Sequence, residues 1–196
     1  MQFRSSTTVN DAMKQVGTMH HSIKPVYSGI ELIGTAFTVY CQPGGIITCH
    51  KALAEAPKDS ILVIDGHGYP NDAIWGGLMS IEAKEKGFKG VVIDGAIRDL
   101  QTIKELEFPV FARNSTPRVG KNKELGTLGL PISCGGTVVN TGDLIIGDDD
   151  GVVVIPQDNI QDILQASDNI DEKEDEIAEQ VKKGGNIGQI LGLFAE

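Results

Sequence analysis

Four runs of this 196-residue chain are apolar without polar alternation: Ile61-Leu62-Val63-Ile64, Val91-Val92-Ile93, Leu144-Ile145-Ile146 and Val152-Val153-Val154-Ile155. Rich in β-branched residues and too short for buried helices, they read as strands covered on both faces. The first two run into Asp65-Gly66 and Asp94-Gly95, and the stretch between them is long enough for a helix. That spacing predicts a βαβ unit with both Asp-Gly loops on one edge of a parallel sheet. Residues 32–41 alternate partly and read as another strand, closed by Pro43-Gly44-Gly45. Residues 108–112 and 137–139 add two more, and Asp150-Gly151 is a hairpin turn between the last two apolar runs.

Helical spacing fills the gaps. Ser5-Ser6-Thr7-Thr8 can cap a short helix with Val9, Ala12, Met13 and Val16 on its apolar side and Gly17 as its stop. Residues 46–56 follow helical spacing, with Ile47, Leu53 and Ala54 inward, as do 74–86 and 100–106. Residues 114–136 hold prolines, glycines and threonines with little periodicity and are expected to be irregular. After Pro156 a long acidic helix is expected, with Ile160, Ile163, Leu164, Ile170, Ile177 and Val181 as its buried stripe. Gly184-Gly185 stops it, and the apolar tail Ile187, Ile190, Leu191, Leu193 and Phe194 must dock on the body or on a neighbouring subunit. The expectation is one α/β domain over residues 1–196 with a C-terminal helical segment, 157–196.

Composition narrows the function classes. A formal net charge of −10 is the wrong electrostatic footprint for direct nucleic-acid binding. No run reaches the roughly 18 apolar residues of a membrane span, and the N-terminus lacks a signal pattern, so a cytoplasmic protein is expected. Cys41, Cys49 and Cys134 are widely spaced without a Cys-x-x-Cys pair, which suggests buried thiols rather than disulfides or a zinc site.

The candidate chemistry lies beyond the strand built on Val91-Val92-Ile93, where Arg98-Asp99 follows Asp94-Gly95. A guanidinium can grip a carboxylate through two hydrogen bonds, and an adjacent carboxylate can hold a divalent cation. The competing reading is a surface pair in which Asp99 caps the next helix and Arg98 makes a screened salt bridge. Gly76-Gly77 before a helix leave free N–H groups for an anion, or serve only close packing. His50 lies within a helix and can point at a cleft, whereas His20-His21 read as loop residues. Asp148-Asp149-Asp150 do not match an EF-hand and read as a solvated turn.

Taken together, GVVIDGAIRD, Trp75-Gly76-Gly77-Leu78-Met79-Ser80 before it, Phe111-Ala112-Arg113 after it and the segment 147–156 resemble the RraA-like family. That family includes metal-dependent 4-hydroxy-4-methyl-2-oxoglutarate aldolases with oxaloacetate decarboxylase activity, and a regulator of a bacterial ribonuclease. The resemblance implies a compact α/β sandwich with a barrel-like β core of the swivelling β/β/α type, assembled as a homotrimer or a dimer of trimers. It implies a divalent-metal-dependent carbon–carbon lyase acting on 2-oxo acids, with Mg2+ or Mn2+ as cofactor. It places Asp99 as the metal ligand, Arg98 on the substrate's carboxylate or keto oxygen, and the backbone of Gly76, Gly77, Leu78 and Met79 around the pyruvyl carboxylate. Glu174 matches a carboxylate that reaches the metal's waters from an adjacent subunit, with Glu172 and Glu176 as neighbours.

One departure stands out. The family's aldolases place an Asp at a fixed spacing before Arg-Asp, and that spacing lands on Gly77. Asp72, His67 and Glu82 are the candidate substitutes. Retro-aldol cleavage needs a base and an acid, whereas decarboxylation of oxaloacetate chiefly needs an electron sink, so decarboxylation is expected to survive the departure better. The alternatives are a non-catalytic ribonuclease regulator and a same-scaffold enzyme for another 2-oxo or hydroxy acid. A methyltransferase label used within the family is rejected, because no Gly-rich nucleotide loop with a ribose-binding acid is present.

Overall fold

A computed structural model describes residues 2–194. Its main sheet is built from β1 (Lys24–Pro25), β2 (Leu32–Tyr40), β3 (Ser60–Trp75), β4 (Gly90–Ile97), β5 (Val110–Ser115), β6 (Thr127–Leu128), β9 (Leu144–Asp148) and β10 (Gly151–Ile155). The strand order is β1-β5-β4-β3-β2-β9-β10, with β6 beside β2. The central four, β2 to β5, are parallel, and the expected βαβ unit is β3-α3-β4 with α3 at Gly77–Glu85. A separate hairpin pairs β7 (Ile132–Cys134) with β8 (Thr137–Val139), so that β6 and β7 are short strands within the region expected to be irregular and β8 is the strand expected at 137–139.

The unalternated runs are buried on both faces, as their composition predicts. Leu62, Ile64, Val91 and Ile93 face the helices, packing with Leu53, Ala83, Ile103 and Phe108. Ile61, Val63, Val92 and Phe111 point the other way, into a core shared with Ala36, Ile145, Val152 and Val154. Because this second face is covered by β9 and β10 of the same sheet rather than by helices, the sheet curls and nearly closes into a barrel. Met19 N–H donates to Val152 C=O and Val154 N–H to Gly17 C=O, so residues 17–19 line β10 before the chain joins β5 through β1. Lys24 Nζ then bonds the carbonyls of Asp149 and Asp150 across the gap. Helices α2 (Ile47–Glu55), α3 and α4 (Leu100–Leu106) cover the outside, while α1 (Ser6–Ala12) and α5 (Ile160–Lys182) cover β9 and β10 through Val9, Ile146, Val153 and Leu164. This is the α/β arrangement around a barrel-like sheet that the resemblance implies.

Three local expectations need correction. β3 does not end at Asp65 but continues to Trp75 through an irregular excursion, because β4 still offers partners at Gly95, Ala96 and Ile97. Helix α3 therefore starts at Gly77 rather than near Ile74. Asp148 and Asp149 are not merely solvated: Asp148 accepts from the N–H and hydroxyl of Ser6, and Asp149 accepts from Gly29 N–H. Finally, only the first half of the α5 stripe docks. Leu164 is buried, but Val181 and the tail residues Leu191, Leu193 and Phe194 are exposed, although Phe194 folds back onto Gly188 of the short α6 (Ile187–Ile190). No helix among the described residues is long and apolar enough to cross a membrane.

Candidate active site

Two strand exits lie side by side at the carboxyl edge of the sheet. β3 passes through Gly76 into α3, and β4 passes through Arg98-Asp99 into α4. Arg98 N–H donates to Trp75 C=O at 3.1 Å, which ties the exits together. The buried Trp75 indole N–H donates to Ser80 Oγ at 2.8 Å, and the Ser80 hydroxyl donates to Gly76 C=O at 3.1 Å. The first turn of α3 is thus anchored from below.

Asp99 sits at φ 62°, ψ 40°, a left-handed conformation that Asp adopts more readily than most residues. The consequence is directional. Although Asp99 precedes α4, its side chain does not cap that helix; its Oδ2 accepts from Gly77 N–H at 3.0 Å, at the start of α3. Oδ1 has no hydrogen-bond partner among the described residues. Arg98 Nε lies 3.4 Å from Oδ2, and both side chains are 40% exposed. Such a solvated pair contributes little to stability. The helix-cap alternative is therefore replaced by a carboxylate shared between a neighbouring helix and open space.

The two glycines serve close approach. A Cβ on Gly76 would stand 2.8 Å from Asp99 Oδ2 and 3.0 Å from Arg98 Cγ, and one on Gly77 would stand 3.0 Å from Thr102 Cγ2. Gly76 has extended backbone that any residue can adopt, so the constraint is steric. The N–H groups of Leu78 and Met79, in the same first turn, precede the point where intrahelical bonding begins.

These groups border a cavity of about 180 Å3, also lined by Ile46, His50, Ala73, Ile74 and Val119. Drug-sized pockets run to roughly 300–1,000 Å3, so this one suits a small acid. A second space shares Arg98 and Asp99 and extends to Ser115, Thr116 and Pro117. A third shares Val119 and is lined by Asp72, Arg118 and Lys121, with Arg118 Nε 3.2 Å from Asp72 Oδ1. Sequence reasoning had flagged His50 but not Val119 or Arg118. Their placement depends on residues 118–120 pairing with Ala73, a long-range contact with no local signal.

The predicted residues Gly76, Gly77, Leu78, Met79, Arg98 and Asp99 come together. Glu174 does not join them within one chain, because it is exposed on α5, which packs on α1 rather than on the site. Of the candidate substitutes for a side chain at Gly77, Glu82 pairs with Lys86 at 2.7 Å and the His67 ring stands edge-on to Tyr40. Only Asp72 reaches the cleft rim. No cluster of three or more His, Cys, Asp or Glu occurs among the described residues. A cation here would thus rest on Asp99 and keep most of its water, which fits Mg2+ or Mn2+ better than a cation needing a full protein cage.

A second polar cluster occupies the barrel mouth. Asp65, Asp94 and Arg113 continue the inward-facing series of Val63, Val92 and Phe111. Arg113 Nε donates to Asp94 Oδ1, Gly135 N–H donates to Asp94 Oδ2 at 2.7 Å, and Arg113 Nη1 donates to Ser22 Oγ at 2.8 Å. Asp65 accepts from His67 N–H at 2.9 Å. Burial pushes the Asp65 carboxyl up, with the nearby Asp94 adding to the rise. Burial, then the charges of Asp94 and Asp65, push the Cys134 thiol well up, so it is inert.

Comparisons with known proteins give a consistent picture. A family model described as RraA-like, aldolase/RraA, matches residues 6–154. A protein of Halalkalibacterium halodurans with the provisional name 4-hydroxy-4-methyl-2-oxoglutarate aldolase is 39% identical over 166 residues, covering 84% of this chain and 79% of its own. The crystal structure of an uncharacterized protein from Pseudomonas syringae superposes with a TM-score of 0.88 at 26% identity, covering 97% of this chain and 90% of its own. The RNA-processing inhibitor RraA from Thermus thermophilus superposes with a TM-score of 0.71 at 26% identity, covering 80% and 94%.

Proposed function

The chain belongs to the RraA-like family, and from that premise we propose that it is a divalent-metal-dependent lyase for 2-oxo acids. Its reactions are oxaloacetate decarboxylation, retro-aldol cleavage of 4-hydroxy-4-methyl-2-oxoglutarate to pyruvate, or both. The observation that supports this most is the Asp99 carboxylate, whose Oδ2 is held by Gly77 N–H with Arg98 Nε 3.4 Å away, while Oδ1 is open. The relative with the provisional aldolase name supports the same reading.

The chain's own groups divide the work. The first-turn N–H groups of α3 and the Arg98 guanidinium bind the substrate's carboxylate and orient its 2-oxo group. As the carbon–carbon bond breaks, negative charge grows on the 2-oxo oxygen, where the Arg98 guanidinium opposes it. The apolar wall of Ile46, Ile74, Trp75 and Met79 keeps water from weakening that interaction. Mg2+ or Mn2+ held by Asp99 would supply Lewis-acid polarisation of the same oxygen.

Leu78, Val119 and Leu100 are exposed apolar residues that line the cleft and the space beside it. Such a surface fits a homotrimer or dimer of trimers in which a neighbouring subunit covers the cleft and brings Glu174 to the metal's waters.

The deciding experiment measures turnover of both acids with Mg2+, with Mn2+ and with chelator, for the natural protein and for Asp99→Ala. Metal-dependent turnover lost in Asp99→Ala is the expected result, with oxaloacetate the better substrate because Gly77 offers no side chain. No turnover and no metal binding would sink the lyase reading and favour a protein-binding regulator.

A further inference from the structure

We propose that His50 is the proton-transfer residue of this cleft; the assignment rests on the lyase reading above. Cleavage of the C3–C4 bond of oxaloacetate releases carbon dioxide and leaves the bonding electron pair in the enolate of pyruvate. C3 must then take up one proton, and the donor has to stand in the cavity.

The cavity lining offers few donors. In the lyase reading Arg98 is committed to the substrate's carboxylate and 2-oxo oxygen, and Asp99 is committed to the cation. The remaining titratable side chain on the lining is His50, and imidazole is the group that exchanges protons most readily near neutral pH. His50 lies one helical turn after Ile46, so α2 presents both to the same space. Its ring has no hydrogen-bond partner among the described residues, which leaves both nitrogens available to a ligand.

Other proton carriers are placed elsewhere. His20, Asp94 and Arg113 are joined at the barrel mouth, and Cys49 is fully buried on the core side of α2. The charged groups that share its cavity or its helix are Arg98 and Asp99 on the lining and Lys51 and Glu55 on α2; Asp72 pairs with Arg118 in the adjoining space that shares Val119, and Lys86 of α3, paired with Glu82, donates to Leu53 C=O of α2. Protonated His50 gives its proton to C3 and is reloaded from water. Retro-aldol cleavage would ask neutral His50 to take the hydroxyl proton as well, a further demand that oxaloacetate does not make.

The test compares His50→Gln and His50→Ala with the natural protein in three readouts: the pH profile of oxaloacetate decarboxylation, rescue by added imidazole, and exchange of pyruvate methyl protons for deuterium. Natural protein should catalyse exchange, and His50→Gln should lose about 10²-fold in both exchange and decarboxylation. The variant should also lose the limb of the pH profile set by the imidazole, and His50→Ala should regain rate with imidazole. An unchanged profile in His50→Gln, or a lower rate with the same profile and no rescue, would overturn the assignment while leaving the lyase reading intact. Neither turnover nor exchange by the natural protein would remove both.

Discussion

The same two strands, β3 and β4, carry carboxylates to two places with opposite chemistry. At the barrel mouth both oxygens of Asp94 are taken, one by Arg113 and one by Gly135 N–H, and the side chain is 8% exposed. In the cleft Asp99 has one oxygen held and one open, beside an arginine it barely touches, and it is 40% exposed. Each place pairs a carboxylate with an arginine. A saturated, buried pair fixes structure, whereas an unsaturated pair over a cavity is arranged for something that arrives from outside.

Substituting the two acids should separate these roles. Asp99→Ala should lower turnover on the order of 10³-fold with its thermal transition nearly unchanged. Asp94→Ala should leave Arg113 partly buried without its partner and destabilise by about 3 kcal/mol, while substrate KM changes little at the stability that remains. Circular dichroism melts beside steady-state kinetics check both. If Asp94→Ala lost activity without losing stability, the division between the two regions would be wrong.

Gly76 sharpens the point because it constrains the open carboxylate without reacting. A methyl group there would meet Asp99 Oδ2 at 2.8 Å, and extended backbone at this position raises no conformational objection. Gly76→Ala should therefore fold normally but swing Asp99 away from Gly77 N–H, reducing turnover about 10²-fold. Metal titration should show weakened binding in the same variant. Unchanged metal affinity would mean that the placement of Asp99 tolerates more than the geometry suggests.

Much of this contrast was legible in the sequence, and its limits are physical. The β-branched runs 61–64 and 91–93 announced buried parallel strands because both faces had to be apolar. Arg98-Asp99 and Gly76-Gly77 were readable as neighbours because a βαβ unit puts both strand exits on one edge. The direction of the Asp99 side chain was not readable, since a residue before a helix ordinarily caps that helix. Nor was the excursion of β3 past Asp65, because its pairing at Tyr69, Ala73 and Trp75 depends on what β4 presents rather than on local propensity. Residues 114–123 were opaque for the same reason. The curl of the sheet had a local hint only in strands apolar on both faces, and the barrel itself came from family resemblance.

The barrel mouth makes its own prediction about pH. Burial raises the Asp65 carboxyl above its unfolded value, so the folded state holds that proton more tightly. The resulting contribution is full below the unfolded pKa and is lost as pH rises through the folded one, which makes ionised Asp65 a liability at neutral pH. Asn keeps an acceptor for His67 N–H without the charge. Asp65→Asn should thus raise Tm by a few degrees at pH 7, with the gain shrinking as pH falls below the carboxyl range. A melting series across pH tests the sign, and a lower Tm at neutral pH would show that the Asp65 charge is needed at the mouth.

The smallest effect expected concerns the cleft's outer end. Arg118 and Lys121 gather there in a chain whose net charge is −10, and Arg118 is 73% exposed despite its contact with Asp72. A lone carboxylate held near Gly76 needs neither residue, but a second carboxylate reaching toward Val119 would enter the space that Arg118 and Lys121 line. Arg118→Gln should therefore raise KM for oxaloacetate about fivefold and leave pyruvate's inhibition constant unchanged, since an exposed charge contributes on the order of 1 kcal/mol. Because that attraction crosses solvent, the difference between natural protein and variant should narrow as salt is raised. Equal weakening for both acids would assign Arg118 to the general field of the cleft, and the choice among acids would then fall to Arg98 and the first-turn N–H groups of α3.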